Sequence, residues 1–373
     1  MAEAGEGRGG LVVALQANYC WVALEAPGPG GEERLLCTRR TRLGKSGQRI
    51  CVGDRVRLEG IDWPAGRAAV ASLDPRRNLL ERPAVANVDR VVVVVALAEP
   101  ALDPLQLTRF LVTAEATGQP LQLVLSKADL VSEAEVRAWR ERLQGWGYDP
   151  IAVALGPPDS PERPGAMGLE RLRRRLDSSG IAVLCGPSGV GKSSLLNALL
   201  PALALRVGEV SGRLRRGRHT TRHVELFPLA AGTGACGGAL VADTPGFNRP
   251  ELPSQAAELA GHFPEIRARL ERACCRYSNC LHLGDPGCAV GVAWDRHPLY
   301  RQCVEEVRGR GAPLPARAAE AGLRRRGDRL EPLLQAQWRQ PSRRRLRQQS
   351  AGPEDPLEEW GRQEPLSPPD RGG

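Results

Sequence analysis

The sequence predicts a multi-domain protein in three parts: an N-terminal β-barrel of the OB type, a central doubly wound α/β domain built on a phosphate-binding loop, and a C-terminal α-helical, zinc-binding part. Three observations carry this. Short β-like runs separated by Gly/Pro turns occupy residues 11–75. Strand-like and helix-like apolar runs then alternate, with Gly186-Pro187-Ser188-Gly189-Val190-Gly191-Lys192-Ser193 between one such pair. Cys275, Cys280, His282 and Cys288 stand beyond them at metal-ligand spacing. The expected boundaries are 1–78, 79–250 and 251–350, with a disordered tail at 351–373, rich in Pro, Gly and Glu.

A chain of 373 residues accommodates about two to three domains. It has no long apolar run, and Met1-Ala2-Glu3-Ala4-Gly5-Glu6 lacks the basic and apolar regions of a signal peptide and the Arg/Ser-rich character of a transit peptide. A soluble, cytoplasmic protein with no membrane partner is expected. The ten cysteines are too sparse for a disulfide scaffold, and Cys20, Cys51 and Cys185 sit in apolar runs where a thiol acts as a small hydrophobe. A net charge of +9, unevenly spread, favours a polyanionic partner and tilts the reading toward nucleic acid.

In the first part, β-like runs at 11–15, 20–24, 34–38, 54–58 and 68–73 lack helical periodicity, and several short strands spaced by turns suggest a small barrel. The loop Arg39-Arg40-Thr41-Arg42-Leu43-Gly44-Lys45 is suited to RNA phosphates. Tyr19 and Trp21 are candidate stacking platforms, but strand aromatics are mostly packing residues, and the expectation for both is barrel core.

The second part opens at the valine run 91–97, continuous as strands covered on both faces tend to be. Leu102, Leu105, Phe110, Leu111 and Ala114 suit one face of a helix. A strand at 121–125, a helix at 132–146, a strand at 151–154 and a Pro-rich loop at 156–168 follow, then the strand 181–185, the phosphate loop and a further helix. Alternation of this kind gives a doubly wound sheet with its ligand at the strand ends. Gly186 and Gly191 let backbone amides curl around phosphate oxygens, at a helix end whose dipole favours the same anion. Pro187, Ser188, Gly189, Val190 and Ser194 complete the loop. Lys192 would reach the β- and γ-phosphates and Ser193 would ligate Mg²⁺. At another strand end, Asp243-Thr244-Pro245-Gly246 offers a carboxylate to the Mg²⁺ shell and the Gly246 amide to the γ-phosphate. At a third, Ser126-Lys127-Ala128-Asp129 offers an aspartate that can accept from N1 and N2 of guanine, donors that adenine lacks. The Arg-rich stretch 206–222 lies where a first switch belongs. Thr220 or Thr221 is its candidate for Mg²⁺ and γ-phosphate, and its arginines suit RNA phosphates.

The order of these motifs is informative, because the guanine-reading tetrapeptide precedes the phosphate loop instead of following it. With Gly217-Arg218-His219-Thr220-Thr221-Arg222, Asn87-Val88-Asp89-Arg90 and Cys275-x4-Cys280-x-His282-x5-Cys288, the sequence resembles a circularly permuted GTPase, specifically the ribosome small-subunit-dependent GTPase A family, over residues 10–350. The resemblance implies the OB fold of the first part. It also implies a GTPase that hydrolyses GTP, binds the small ribosomal subunit and its rRNA, is stimulated by it, and acts in late subunit maturation; separately, a monomer is expected. Phe247 stands where many GTPases carry a water-orienting glutamine, and the resemblance nominates His219 for that task. Two positions depart from the family pattern. Ser126 replaces the usual asparagine and cannot present an amide to guanine N7 and the neighbouring loop, and Ala154-Leu155 replaces the usual Ser-Ala.

From residue 254 the spacing of Leu259, Phe263, Ile266 and Leu270 is helical. Three thiolates and one imidazole then match a closed tetrahedral zinc site, one ion per chain, structural because no position is left for a catalytic water. Cys274 could substitute for Cys275, although register with the family favours Cys275. A helical tail with Arg308, Arg310, Arg324, Arg325, Arg326, Arg329 and Arg343 is expected after it. Because the chain passes directly from Phe247 into this part, loss of γ-phosphate could move it. The alternative reading is a P-loop, RNA-binding NTPase acting on another RNA. A metabolic P-loop kinase would leave Ser126 to Asp129 idle, and a plain RNA-binding zinc module would have no use for Asp243.

Overall fold

The computed structural model describes residues 8–311 except 17, 40–48, 82, 157–166, 178–179, 201–223, 230–237 and 244–249, together with two strands beyond them. The chain divides into two compact units, Met1–Gly311 and Ala312–Gly373.

Five strands build the barrel: β1 (Arg8–Leu15), β2 (Tyr19–Leu24), β3 (Arg34–Arg39), β4 (Arg55–Asp62) and β5 (Arg67–Leu73). Their order is 1-2-3-5-4, closed by β1 against β4, and the one parallel pairing is β3 with β5. Alternate residues point inward, so Val12, Cys20, Val22, Leu35, Cys37, Val56, Leu58 and Val70 fill the interior. Burial pushes the Cys37 thiol up to about 12, which leaves it an inert apolar group. The core assignment is corrected for Tyr19 and holds in part for Trp21, which packs against the apolar core. Tyr19 opens β2 and is 44% exposed, while Trp21 is half-buried beneath the guanidinium of Arg34, 5.0 Å from its ring centre. Tyr19 lies outside the interior because it is the first residue of its strand.

A hairpin of β6 (Leu79–Glu81) and β7 (Ala84–Ala86) leads into the α/β sheet. Strands β8 (Val88–Ala96), β9 (Leu121–Ser126), β10 (Ile151–Ala152), β11 (Ile181–Cys185) and β13 (Leu240–Asp243) are parallel in the order 10-9-8-11-13, and β12 (Glu225–Pro228) joins β13 antiparallel. The valines of β8 are buried on both faces because helices cover both. One core contains Val91, Val93, Leu107, Phe110, Leu111 and Leu123, and the other Val92, Val94, Leu184, Leu195 and Val241.

The helices are α1 (Pro104–Glu115), α2 (Glu133–Gly145), α3 (Leu169–Asp177) and α4 (Lys192–Leu199). Asp103 caps α1 through the Leu105 amide, and Ser132 caps α2 through the Glu135 amide. The strand expected at 151–154 is two residues long. The barrel and the α/β domain share one hydrogen-bonded sheet, since Ala14 of β1 stands opposite Glu225 of β12.

The region after residue 250 is not one helix. It breaks into α5 (Ala256–Leu259), a 3-10 turn (Ala260–His262) and α6 (Pro264–Leu270), because Pro264 cannot continue a helix but suits the first turn of a new one. Helix α7 (His297–Gly311) closes a core of Leu259, Phe263, Ile266, Tyr300 and Val304, to which α1 contributes Val112. The tail is helical as expected through Arg308 and Arg310, in the last turn of α7, and is corrected beyond it: in the second unit the described strands β14 (Leu323–Arg326) and β15 (Arg329–Pro332) form an antiparallel hairpin that includes positions 324, 325, 326 and 329. The remaining tail, including Arg343 and 351–373, lies outside the described residues. Among the described residues no helix is long and apolar enough to cross a membrane.

Candidate functional site

The sheet reverses its winding direction between β8 and β11, and in such sheets ligands bind beyond the strand ends at that point. β11 ends there in the phosphate loop. Gly186 has φ +142°, and a Cβ on it would lie 2.0 Å from the Val94 carbonyl oxygen, so no other residue lets the loop cross β8 this closely. Gly191, at φ +85°, is the N-cap of α4. Lys192 Nζ donates to the carbonyls of Gly186 at 2.9 Å and Pro187 at 2.6 Å, which holds the cation over the loop. Ser193 and Ser194 lie in the first turn of α4, half-buried.

The tetrapeptide Ser126-Lys127-Ala128-Asp129 is brought to the same place from β9. A cavity of about 320 Å³ is lined by Ser126, Lys127 and Asp129 together with Leu155, Gly191 and Ser194. Asp129 is exposed, in the short 3-10 turn Ala128–Leu130, and Ala128 is buried beneath it. Ser126 is buried. It offers no amide, yet its hydroxyl reaches the neighbouring loop directly, 2.6 Å from the Val190 carbonyl and 3.1 Å from that of Val95. Lys127 has φ +55°, and its ammonium donates to the Glu99 carbonyl. The part played by Glu99 had no signal in the sequence, because it is played by backbone.

Asp243 ends β13 beside β11, with Val183 opposite Ala242, so its Cα stands near the start of the phosphate loop. His219, Thr220, Thr221 and Gly246 lie outside the described residues, as do Phe247 and most of the basic loop at 39–45.

Cys275, Cys280, His282 and Cys288 form a group that could hold a metal, with donor atoms all within 4.8 Å of one another. His282 Nδ1 is 3.5, 3.7 and 3.6 Å from the sulfurs of Cys275, Cys280 and Cys288. A tetrahedral ion with Zn–S of about 2.3 Å and Zn–N of about 2.0–2.1 Å requires a separation of about 3.6 Å, so the donors fit zinc. The amides of Ala289 and His282 donate to the sulfurs of Cys275 and Cys280 at 3.3 and 3.4 Å, as suits thiolates. Cys274 is exposed and stands apart from the group.

A seam between this part and α2 was invisible in the sequence. Asp295 accepts from Arg142 Nε at 2.7 Å and from Trp146 Nε1 at 2.7 Å, and Arg109 of α1 pairs with Glu306 of α7 at 2.6 Å.

The sequence model of the RsgA GTPase family matches residues 73–253. A protein of Parasynechococcus marenigrum (strain WH8102) named small ribosomal subunit biogenesis GTPase RsgA is 53% identical over 297 residues, covering 80% of this chain and 95% of that protein. The crystal structure of YjeQ from Thermotoga maritima matches with a TM-score of 0.65 at 31% identity, over 82% of this chain and 99% of that one. The crystal structure of YloQ, described as a circularly permuted GTPase, matches with a TM-score of 0.63 at 27% identity, over 84% and 99%.

Proposed function

Because this chain belongs to the RsgA GTPase family, we propose that it binds the small ribosomal subunit and its rRNA, hydrolyses GTP to GDP and phosphate there, and acts in late subunit maturation. The observation that carries the reading is the meeting of Ser126, Lys127 and Asp129 with Gly191 and Ser194 around one cavity. A phosphate loop alone serves any nucleotide, whereas a carboxylate beside that cavity selects guanine by accepting from N1 and N2.

In this reading the amides of Gly186 to Ser194 hold the phosphates at the N-terminus of α4, and Lys192 leaves the loop carbonyls for the β- and γ-phosphates. Ser193 and Asp243 hold Mg²⁺, which when bound neutralises developing charge on the phosphates. Thr220 or Thr221 and the Gly246 amide sense the γ-phosphate, and His219 orients the attacking water in place of the glutamine that Phe247 displaces. The Cys275, Cys280, His282 and Cys288 group holds one structural zinc. The barrel surface supplies RNA contact, and the protein works as a cytoplasmic monomer.

The test is GTP turnover by the purified chain with and without small subunits. Slow basal turnover that rises on adding subunits is expected. Turnover unaffected by subunits would favour the alternative, an RNA-binding NTPase with another RNA substrate. His219→Ala should keep nucleotide affinity and lower the stimulated rate.

A further inference from the structure

The motif Asn87-Val88-Asp89-Arg90 does not line the cavity of the nucleotide site, yet it ties the barrel to the α/β domain through several hydrogen bonds. Asn87 is buried with φ +57°. Its Nδ2 donates to the Gly53 carbonyl of the barrel and its Oδ1 accepts from the Arg77 amide, each at 2.8 Å. Asp89 accepts from both terminal nitrogens of Arg77, at 2.7 and 3.2 Å, and from the amide of Ile181, the first residue of β11, at 2.8 Å.

The linker residues alternate between the two bodies. Arg76 turns toward the barrel and donates to both oxygens of the fully buried Asp54, at 2.6 and 2.9 Å. Arg77 turns toward Asp89, and Asn78 exchanges two hydrogen bonds with the backbone of Val88. The backbones meet without slack, since a Cβ on Gly53 would lie 2.1 Å from the Ala86 oxygen and one on Gly180 would lie 2.2 Å from Asp89 Oδ2. The barrel is thereby registered on the root of the strand whose far end is the phosphate loop.

We propose that Asn87, Asp89 and Arg77 are positioning residues for subunit-stimulated hydrolysis: they hold barrel and phosphate-loop strand as one rigid piece, so that RNA seated on the barrel meets the nucleotide in fixed register. This rests on the reading that the subunit binds the barrel and stimulates turnover.

The test uses the full chain with Asn87→Gly, which keeps the left-handed backbone and deletes both side-chain bonds. It also uses Arg77→Ala and Arg77→Lys, where the guanidinium is 64% exposed and the fold tolerates change. GDP affinity, basal turnover and subunit affinity should stay within about twofold of wild type, while stimulated kcat falls about tenfold or more in Asn87→Gly, the scale expected of misplacement near an ångström. Arg77→Lys should retain more stimulation than Arg77→Ala. Wild-type stimulation in both Asn87→Gly and Arg77→Ala overturns the proposal, as does a loss of subunit affinity equal to the loss of kcat, which would make the joint a binding element. A wild type that subunits do not stimulate would overturn the underlying reading instead, and the wild-type arm reports that separately.

Discussion

The hydroxyl of Ser126 stands 2.6 Å from the carbonyl oxygen of Val190, so the end of the base-reading strand is tied to the loop that holds phosphate. A hydroxyl has one proton, and Val190 is the nearer of its two carbonyl neighbours. None is left for guanine N7, and in the proposed reading base selection falls to Asp129.

Ser126→Ala should therefore weaken GDP binding by about 1 kcal/mol, roughly fivefold, because a buried carbonyl loses its donor. Ser126→Asn, with a second donor, should tighten it. Asp129→Asn should move preference toward xanthine nucleotides, whose O2 can accept where guanine donates. Competition among GDP, ADP and XDP on the four proteins decides this, and equal affinity of the wild type for ADP and GDP would remove the guanine assignment.

Cys280→Ser or Cys288→Ser should release zinc and disorganise the core around Phe263 and Tyr300 while the nucleotide site keeps its GDP affinity. The Tyr300 hydroxyl donates to the carbonyl of Leu281, between two of the donors, so the knuckle and the core share a bond. Metal analysis and near-ultraviolet circular dichroism report the two effects. Purified wild type without stoichiometric zinc would end the assignment.

Motifs whose chemistry is local were legible in the sequence. Gly186 to Ser193 needs only its own backbone and the strand and helix beside it, and the periodicity of 133–145 with a Ser132 cap marks a helix by itself. What escaped was set by partners distant in sequence. Tyr19 alternates with buried residues and reads as core, but its place at the start of β2 leaves it at the rim. The break at Pro264 was hidden by Leu259, Phe263 and Ile266, whose spacing stays helical across two short helices sharing one apolar face. Nothing near Trp146 in sequence announced Asp295.

The Arg142 guanidinium, with the Trp146 indole, holds the Asp295 carboxyl below its ordinary value of 3.8. A folded-state value lowered in this way contributes stability that is full above 3.8 and is lost as pH falls through the lowered value. Both side chains are more than a third exposed, so the contribution is of the order of 0.2–1 kcal/mol. Asp295→Asn should be less stable than wild type near neutrality and equal to it at a pH well below 3.8. Urea unfolding at the two pH values measures this, and a difference that persists in acid would mean that the substitution acts through packing.

Beside that pair, Arg296 is fully buried and donates to Glu265 at 2.5 Å. Its guanidinium carbon lies 4.8 Å from the ring centre of Trp146, 5.6 Å from Tyr148 and 4.5 Å from Phe263, and among the described residues its Nε and Nη1 make no hydrogen bond of ordinary geometry. Ring faces take the place of acceptors for a desolvated cation. Two of the rings follow α2 and the third belongs to the zinc-binding part, so Arg296 pins that part to the helix that begins just past Asp129. The direct passage of the chain from Phe247 suggested a zinc-binding part free to swing with the γ-phosphate, whereas this pin favours its moving together with α2. Arg296→Met should cost about 3–5 kcal/mol, because it strands the Glu265 carboxylate in a dry site, and adding Glu265→Gln should recover much of that. If the single and double variants unfold at the same denaturant concentration, the loss comes from the ring contacts and the ion pair contributes little. Either way, a wild-type chain whose zinc-binding part unfolds in a separate, earlier transition would show that Arg296 does not pin it.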